Sequence, residues 1–221
     1  MKKHIIPILI LFFIACNACI ININGSGLTV KGSGIIINEN RKLTDFNSVN
    51  IVGSIDVDIK SGEGVSCNIK GDDNLVPMVK TTVFNNSLSI STKGSYSTKS
   101  PLIVYLKMPV LERAKVIGSG DMKISDVTKD KVVLTVSGSG DITANGSVGT
   151  LDAVVSGSGD LSLNNLQAEH INVTINGSGD AEVWANQSIS ATVNGSGDIV
   201  YLGNPREIDT KVNGSGDIIK R

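Results

Sequence analysis

The chain has 221 residues, of which 40% are hydrophobic and only 4% aromatic, and 20 basic residues nearly balance 21 acidic ones to give a formal net charge of −1. Because no basic patch interleaved with aromatic residues occurs, we expect no nucleic-acid partner. Three cysteines and two histidines are too few for a thiolate or histidine metal cluster, and we predict no bound cofactor.

Residues 1–15 have the organisation of a signal peptide, with a short basic start and an apolar stretch from residue 5 to residue 15. The stretch is too short to cross a bilayer. Phe13-Ile14-Ala15-Cys16 resembles a bacterial lipobox, which implies that Cys16 is lipidated at the mature N-terminus. Phe13 departs from the usual leucine, and Cys19 is a second candidate. We predict an exported lipoprotein of the outer membrane, the periplasm or the cell surface, with cleavage to a soluble secreted form as the alternative.

Residues 16–40 are predicted to hold the lipid anchor and a tether. Gly25-Ser26-Gly27 and Gly32-Ser33-Gly34 stand seven residues apart, and neither is followed by aspartate. Glycine and serine in this arrangement favour a flexible linker or a small capping hairpin.

Residues 41–117 are predicted to form an irregular β part. Asn85-Asn86, between two strand-like runs, is typical of a tight turn. Gly53-Ser54-Ile55-Asp56 resembles the tetrapeptide that recurs later in the chain, and the 65 residues from Gly53 to Gly118 would fit three or four repeats. We therefore predict an irregular continuation of the same solenoid, or else a small separate β domain. The strand-like runs are residues 49–52, 55–59, 65–69, 79–84, 88–91 and 102–108.

Residues 118–221 repeat the tetrapeptide Gly-Ser-Gly-Asp six times, at steps of 20, 19, 20, 18 and 19 residues. Valine or isoleucine stands two positions before each copy and a further apolar residue directly after it, with mostly polar residues alternating. This period of two is typical of half-buried strands. A near-constant repeat length indicates a solenoid. The copies begin at Gly118, Gly138, Gly157, Gly177, Gly195 and Gly214.

The repeat length selects among repetitive β folds. A propeller blade needs about 40 residues, and leucine-rich repeats need a regular leucine spacing that this chain lacks. We predict an all-β fold, a parallel β-helix (solenoid) with coils of 18 to 20 residues and an irregular N-terminal half. Each coil would add about 4.8 Å along the axis.

The two glycines of each copy suit a sharp corner between strands. If the alternation continues through the corner, the glycines face inward and the serines and aspartates face outward. Each aspartate then caps its own turn, or the column binds Ca²⁺, because hard cations favour carboxylate oxygens. Three asparagines before the motif, Asn176, Asn194 and Asn213, predict a short amide ladder. The aspartate column consists of Asp121, Asp141, Asp160, Asp180, Asp198 and Asp217.

Four further side chains are singular enough to consider for function. Trp184 should point outward, either as a platform for a sugar ring or as ordinary surface packing, whereas Tyr201 should point into the core. Cys67 and His170 are the one cysteine and the one histidine beyond the anchor region. His170 lies in a polar run, which predicts a solvated turn rather than a catalytic pair with Cys67.

The last motif is followed by four residues, so we expect the final coil to present an open strand edge. This edge predicts pairing with a second subunit. Lys220 and Arg221 would act against aggregation if no such pairing occurs.

Several phrases in a fixed order resemble the head GIN domain family of putative autotransporter adhesins, over roughly residues 40 to 219. The resemblance implies a right-handed parallel β-helix in secreted or lipid-anchored proteins that are frequent in Bacteroidota. The family is a domain of unknown function, and it supplies no catalytic residue to carry over. The phrases are Leu43-Thr44-Asp45-Phe46, Val49-Asn50-Ile51, Ile55-Asp56-Val57, Gly71-Asp72-Asp73-Asn74-Leu75, Leu88-Ser89-Ile90 and Val110-Leu111, ahead of the Gly-Ser-Gly-Asp series.

Two classes of function remain. The first is a non-catalytic, secreted or lipid-anchored cell-envelope protein, an adhesin or binding module that presents a β-helix surface to a glycan or an envelope protein. The second is a carbohydrate-active enzyme, a polysaccharide lyase or hydrolase, which would need paired acids or a metal with a basic residue. Here the acids recur in register instead of clustering once, so we predict a non-enzyme without catalytic residues.

Overall fold

The computed structural model describes residues 29–221, and the predicted signal peptide, Cys16, Cys19 and Gly25-Ser26-Gly27 lie outside the described residues. A single 3₁₀ turn, Val76–Met78, interrupts an otherwise all-β chain in this range. The strands before residue 110 are β1 (Thr29–Lys31), β2 (Ile36–Arg41), β3 (Ser48–Gly53), β4 (Asp56–Ser61), β5 (Ser66–Asp72), β6 (Val79–Phe84), β7 (Ser87–Thr92), β8 (Ser95–Ser97) and β9 (Ile103–Met108). The later strands are β10 (Arg113–Gly118), β11 (Met122–Gly138), β12 (Ile142–Gly157), β13 (Leu161–Gly177), β14 (Ala181–Gly195), β15 (Ile199–Gly203), β16 (Glu207–Gly214) and β17 (Ile218–Lys220).

The repeat region is a β-solenoid, as the sequence predicts, and the whole stack has about five turns. Each of β11 to β14 runs from the residue after one Gly-Ser-Gly-Asp copy to the first glycine of the next copy, and neighbouring strands are parallel. The register aligns the copies directly, for example Gly138 with Gly157. In β11 and β12 the backbone departs from extended geometry inside the strand, with positive φ at Asp126 (61°) and Gly146 (134°). One coil is therefore one long bent strand closed by one glycine corner.

The core is a set of apolar columns that follow the predicted alternation. Val116, Val136 and Val155 are fully buried directly beneath one another, and Ile175 and Val193 continue the column. The residues directly after each aspartate form a second buried column through Met122, Ile142, Leu161, Ala181 and Ile199. Parallel strands that are in register place equal side chains at equal depth, so the columns fill the interior continuously.

The N-terminal half departs from the predicted order of coils. Gly53 pairs directly with Gly118, so β3 and β4 stack against β10 and β11 without three or four coils between them. The chain between residues 62 and 112 leaves the stack and returns on the far side, where β7 lies parallel to β3 and β9 lies parallel to β4. Gly53 and Gly118 have similar backbone angles, with φ of 109° and 125°. Matching corner geometry, and not distance along the chain, determines which segments stack.

Antiparallel strands end the parallel stack on this side. β5 runs antiparallel to β9, and β2 runs antiparallel to β5. β6 covers β7 through the tight turn predicted at Asn85-Asn86, whose φ values are 47° and 58°. No helix among residues 29–221 is long and apolar enough to cross a membrane.

The segment predicted as the end of a tether contributes strands to this capped end. The backbone N–H of Gly34 donates to Oδ1 of Asp72 at 2.6 Å, and the backbone N–H of Ser33 donates to Oδ1 of Asn74 at 3.0 Å. The Ser33 hydroxyl donates to Asp73. The phrase Gly71–Leu75 thus fastens the second Gly-Ser-Gly element to the solenoid.

Candidate binding surface

The backbone of each glycine corner is hydrogen-bonded to the corner of the preceding coil. The carbonyl oxygen of Gly138 accepts the N–H groups of Ser158 at 2.9 Å and Gly159 at 3.2 Å. The same two bonds recur at every corner from Gly53 onward. Because the corners lie this close, a Cβ on Gly159 would strike the carbonyl oxygen of Gly140. The crowding at the inward-facing glycines thus comes chiefly from the neighbouring coil along the axis.

The aspartates form a ladder that links successive coils. Oδ1 of Asp121 accepts the backbone N–H of Asp141 at 3.0 Å, and Oδ1 of Asp141 accepts that of Asp160 at 2.8 Å. The bonds continue at 2.7 to 2.8 Å through Asp180, Asp198 and Asp217. Asp56 is the first member, since its Oδ1 accepts the N–H of Asp121 at 3.0 Å. We refer to these seven residues as the aspartate ladder.

Each aspartate therefore caps the next coil and not its own turn, which corrects the simplest interpretation of the motif. Side-chain acceptors of this kind pair with a backbone N–H group that strand pairing leaves without a partner at the corner. The predicted Ca²⁺ site receives no geometric support, because residues 29–221 contain no group of three or more acidic, cysteine or histidine side chains placed to hold a metal ion. Melting curves with and without excess Ca²⁺ test the remaining prediction.

The predicted amide ladder is confirmed. Nδ2 of Asn194 donates to Oδ1 of Asn176 at 2.8 Å, and Nδ2 of Asn213 donates to Oδ1 of Asn194 at 2.7 Å. Both ladders run parallel to the solenoid axis, on opposite sides of the glycine corner along the chain. Their hydrogen bonds hold the corner edge in one register.

A second row of outward side chains lies two residues after the ladder. Asp58 is aligned with Tyr105 on one side and with Lys123 on the other, and Lys123 is aligned with Thr143. We refer to Tyr105, Asp58, Lys123 and Thr143 as the polar row. It comes from β9, β4, β11 and β12, which are adjacent in space although only β11 and β12 are consecutive in the chain. Together with Asp56, Asp121 and Asp141 it lines a surface depression of about 330 Å³.

Asp56 differs from the other ladder members in its electrostatics. Burial raises the pKa of its carboxyl group, and the charge of Asp121 raises it further, against the lowering effect of the hydrogen bond from the Asp121 backbone N–H. Asp56 is half-buried, whereas Asp121 and Asp141 are exposed. The lining of the depression thus includes one partly desolvated carboxylate.

The four side chains considered singly from the sequence, Trp184, Tyr201, His170 and Cys67, do not line this depression. Tyr201 is buried, as predicted, and Trp184 points outward, where its indole N–H donates to Asn186 at 3.1 Å. His170 is exposed, but it lies within β13 and not in a turn. Cys67 is buried, and burial raises the pKa of its thiol to about 11, so it is protonated at neutral pH and a poor nucleophile.

The sequence predicted the alignment of six of the seven ladder aspartates, without Asp56 and without their hydrogen bonds to the next coil, and it did not predict the polar row. The aspartates belong to a recurring motif that is visible in the sequence. Tyr105, Asp58 and Lys123 share no motif, and Asp58 and Lys123 are separated by 65 residues in the chain. The one available signal was the likeness of residues 53–56 to the motif. If residues 53–56 are stacked directly on the copy at Gly118, Asp58 comes to lie beside Lys123.

The fold is shared with several solved structures. The crystal structure of a putative adhesin from Bacteroides fragilis gives a TM-score of 0.68 at 23% identity, covering 87% of this chain and 100% of that one. A putative lipid binding protein from Parabacteroides distasonis gives 0.58 at 22% identity, covering 87% and 99%. A putative adhesin from Parabacteroides merdae gives 0.53 at 19% identity, covering 87% and 99%. At these identities the similarity establishes a common fold.

No curated protein sequence matches the chain. Residues 45–205 match the family described as "Putative auto-transporter adhesin, head GIN domain". This stretch contains the phrases quoted above, except for Leu43 and Thr44 of the first one, together with five of the six Gly-Ser-Gly-Asp corners. The chain therefore belongs to the head GIN domain family of putative auto-transporter adhesins.

Proposed function

We propose that the chain is a non-catalytic binding protein of the cell envelope, which presents the outer face of its solenoid to a glycan or an envelope protein. We further propose that it is exported and either lipid-anchored through Cys16, with Cys19 as the alternative, or released as a soluble form. Its membership of an adhesin-like family supports both proposals.

The observation that carries the proposal is the alignment of outward side chains across coils. Strand pairing places Asp58, Lys123 and Thr143 in one straight row, and the ladder hydrogen bonds hold the adjoining aspartates in a parallel row. Solenoids use such extended, rigid surfaces for contacts with partners. A ligand that binds here finds its contacts already ordered, which reduces the entropy lost on binding.

The carbohydrate-active enzyme is disfavoured by the same geometry. From Asp121 to Asp198 the ladder carboxylates occupy equivalent positions and each uses one oxygen for a backbone N–H, whereas a catalytic acid pair needs two carboxyl groups in distinct environments. Asp56 is half-buried, and its Oδ1 is likewise engaged by the Asp121 N–H. Turnover of a polysaccharide that is abolished by one Asp→Asn change would overturn this proposal.

The direct test is binding by the full chain, purified in mild detergent. We expect retention of a subset of glycans on an array, or cross-linking to an envelope protein when the chain is produced in a bacterial host. Absence of both would contradict the proposed function. Mass spectrometry of the processed N-terminus tests the anchor separately, since lipidation adds acyl mass to Cys16 or Cys19 and secretion leaves none.

A further inference from the structure

We propose that the depression around Tyr105 binds a neutral oligosaccharide, whose chain lies along the polar row beside the aspartate ladder. This inference rests on the proposed function and names its ligand class and its site. The starting point is the cavity of about 330 Å³, which is lined by side chains from four neighbouring strands.

The first step is the exposed aromatic ring. Tyr105 is 38% exposed on the outer face of β9, directly beside Asp58 on β4. An aromatic ring on a flat sheet face offers an apolar surface with a polar tip, which suits the C–H face of a sugar ring together with its hydroxyl groups. Ile103, also on β9 and aligned with Asp56, adds apolar surface to the lining of the depression.

The second step is the mixture of hydrogen-bonding groups around the ring. Asp56 and Asp58 carry acceptors, Lys123 carries a donor, and the hydroxyl of Thr143 can act as either. Sugar hydroxyls are donors and acceptors at once, so a site with both kinds of group can satisfy them. Neighbouring strands are about 4.8 Å apart, so successive side chains of the row stand at roughly the spacing of successive hexose units.

The third step is charge, which selects the class of glycan. Four carboxylates line the depression, from Asp56, Asp58, Asp121 and Asp141, against the single ammonium group of Lys123. These carboxylates repel an anionic ligand, which disfavours uronate-containing or sulfated glycans and anionic headgroups. A neutral chain avoids this cost.

A basic peptide would also suit the charge, but the backbone disfavours it. β4, β9 and β11 are each paired with strands on both sides, so no open edge is available for strand addition by a peptide. The exposed ring and the mixed donors and acceptors fit a sugar better than a lysine side chain, and oligolysine therefore serves as the competing probe.

The test uses the full chain and calorimetric titration with neutral hexasaccharides of glucose, xylose and mannose, a hexamer of galacturonate, and oligolysine. At least one neutral hexasaccharide should bind. Tyr105→Ala should weaken that binding at least tenfold, and Tyr105→Phe, which keeps the ring, should retain it. Phe84→Ala is the matched control, because Phe84 is an aromatic side chain that is 73% exposed at the β6–β7 turn, outside the depression. It should leave the affinity unchanged.

Three results would overturn the inference: equal affinity of Tyr105→Ala and the native chain for the neutral ligand, binding of the galacturonate hexamer alone, or binding of oligolysine alone. The melting midpoint of each variant is measured as a control for folding. An unchanged midpoint shows that a loss of affinity comes from the binding site and not from unfolding. Neutral glycan binding that survives Tyr105→Ala refutes this site but leaves the proposed function standing. If neither a glycan nor an envelope protein binds the native chain, both proposals fail.

Discussion

Glycine is required twice in each corner from Gly118 onward, because a Cβ at either position would strike the backbone of the preceding corner, and the first position has an additional reason. At the first position the backbone has positive φ, 140° at Gly157, and residues other than glycine adopt this angle only with strain. At the second position the angle is ordinary, but a Cβ on Gly159 would strike the carbonyl oxygen of Gly140 and approach Cγ1 of Val136 to 2.9 Å. Neighbouring backbones therefore exclude every side chain at this point.

Gly159→Ala should lower the free energy of unfolding by about 2 to 4 kcal/mol, because the obstacle is a backbone carbonyl in a packed stack and cannot turn aside. The matched control is Gly64→Ala, where an added Cβ would meet no atom within 4 Å. That change should stay within about 0.5 kcal/mol. Urea denaturation of both variants measures the difference, and equal losses would contradict the collision.

Asp56 gives a residue-scale prediction about pH. Its raised pKa means that the folded chain binds this proton more tightly than the unfolded chain, so its favourable contribution is present at low pH and is lost as the pH rises through the raised value. Asp56→Asn keeps an oxygen acceptor for the Asp121 N–H without the charge. Relative to the native chain, this variant should therefore be more stable at pH 7 than at pH 3.

Glu63 supplies the control of opposite sign. Hydrogen bonds from Lys107 and Lys60 lower the pKa of its carboxyl group to about 2. Its contribution is present above the ordinary value of 4.5 and is lost as the pH falls toward 2. Glu63→Gln should thus cost stability at pH 7 and little at pH 2. Urea denaturation of the native chain and both variants between pH 2 and pH 7 measures these differences in stability. For either variant, a difference from the native chain that does not change with pH would refute the direction of the pKa shift assigned to that residue.

At the scale of the element, each corner is held by side-chain oxygens that belong to the coil before it. Asp160 illustrates this, since its backbone N–H donates to Asp141 and its Oδ1 accepts from Asp180. The motif is consequently self-complementary along the axis, because one copy offers the acceptor that the next copy needs. This explains why aspartate recurs although neighbouring carboxylates repel each other.

Asp160→Ala should remove the acceptor for the Asp180 N–H and lower the free energy of unfolding by about 1 to 3 kcal/mol. Asp160→Asn retains Oδ1 and also relieves repulsion within the ladder, so its change should stay below about 1 kcal/mol. Chemical denaturation at neutral pH compares the two. An asparagine variant as unstable as the alanine variant would show that charge, and not acceptor geometry, is what the corner needs.

At the scale of the whole molecule, the described stack has two unlike ends. Antiparallel β2, β5 and β6 cover one end. At the other, β16 pairs only with β14 among residues 29–221, and inward-facing Ile208 and Val212 remain 49% and 43% exposed. Lys220 and Arg221 are held there by Asn204 and Glu182. Pairing with a second subunit at this end stays a prediction.

Amide hydrogen exchange should follow this asymmetry. Local opening of β16 breaks bonds on one side and exposes little additional apolar surface, so its amides should exchange much faster than those of β12 and β13, which are paired on both sides. Mass spectrometry of peptic peptides from the native chain gives both rates in one experiment. Equal protection of β16 and β13 would mean that another chain covers this end.

Much of this structure could be predicted because its signals are local. The period of the Gly-Ser-Gly-Asp copies predicts the coil, the alternation of apolar residues predicts the buried columns, and Asn85-Asn86 predicts a turn that the backbone angles confirm. These patterns depend on neighbours within one repeat. The alignment of the aspartates and of Asn176, Asn194 and Asn213 follows directly once equal repeats stack in register.

The order of the stack and the polar row were decided only by the tertiary structure. Residues 48–61 lie between segments 87–108 and 113–126, because the corner at Gly53 fits the corner at Gly118 and the intervening chain returns on the other side. Pairing between distant segments depends on complementary backbone geometry, which leaves no periodic trace in one sequence. The sequence by itself thus determined the repeating unit and its core, and long-range strand pairing decided which surface residues, Tyr105 and Asp58 among them, stand together.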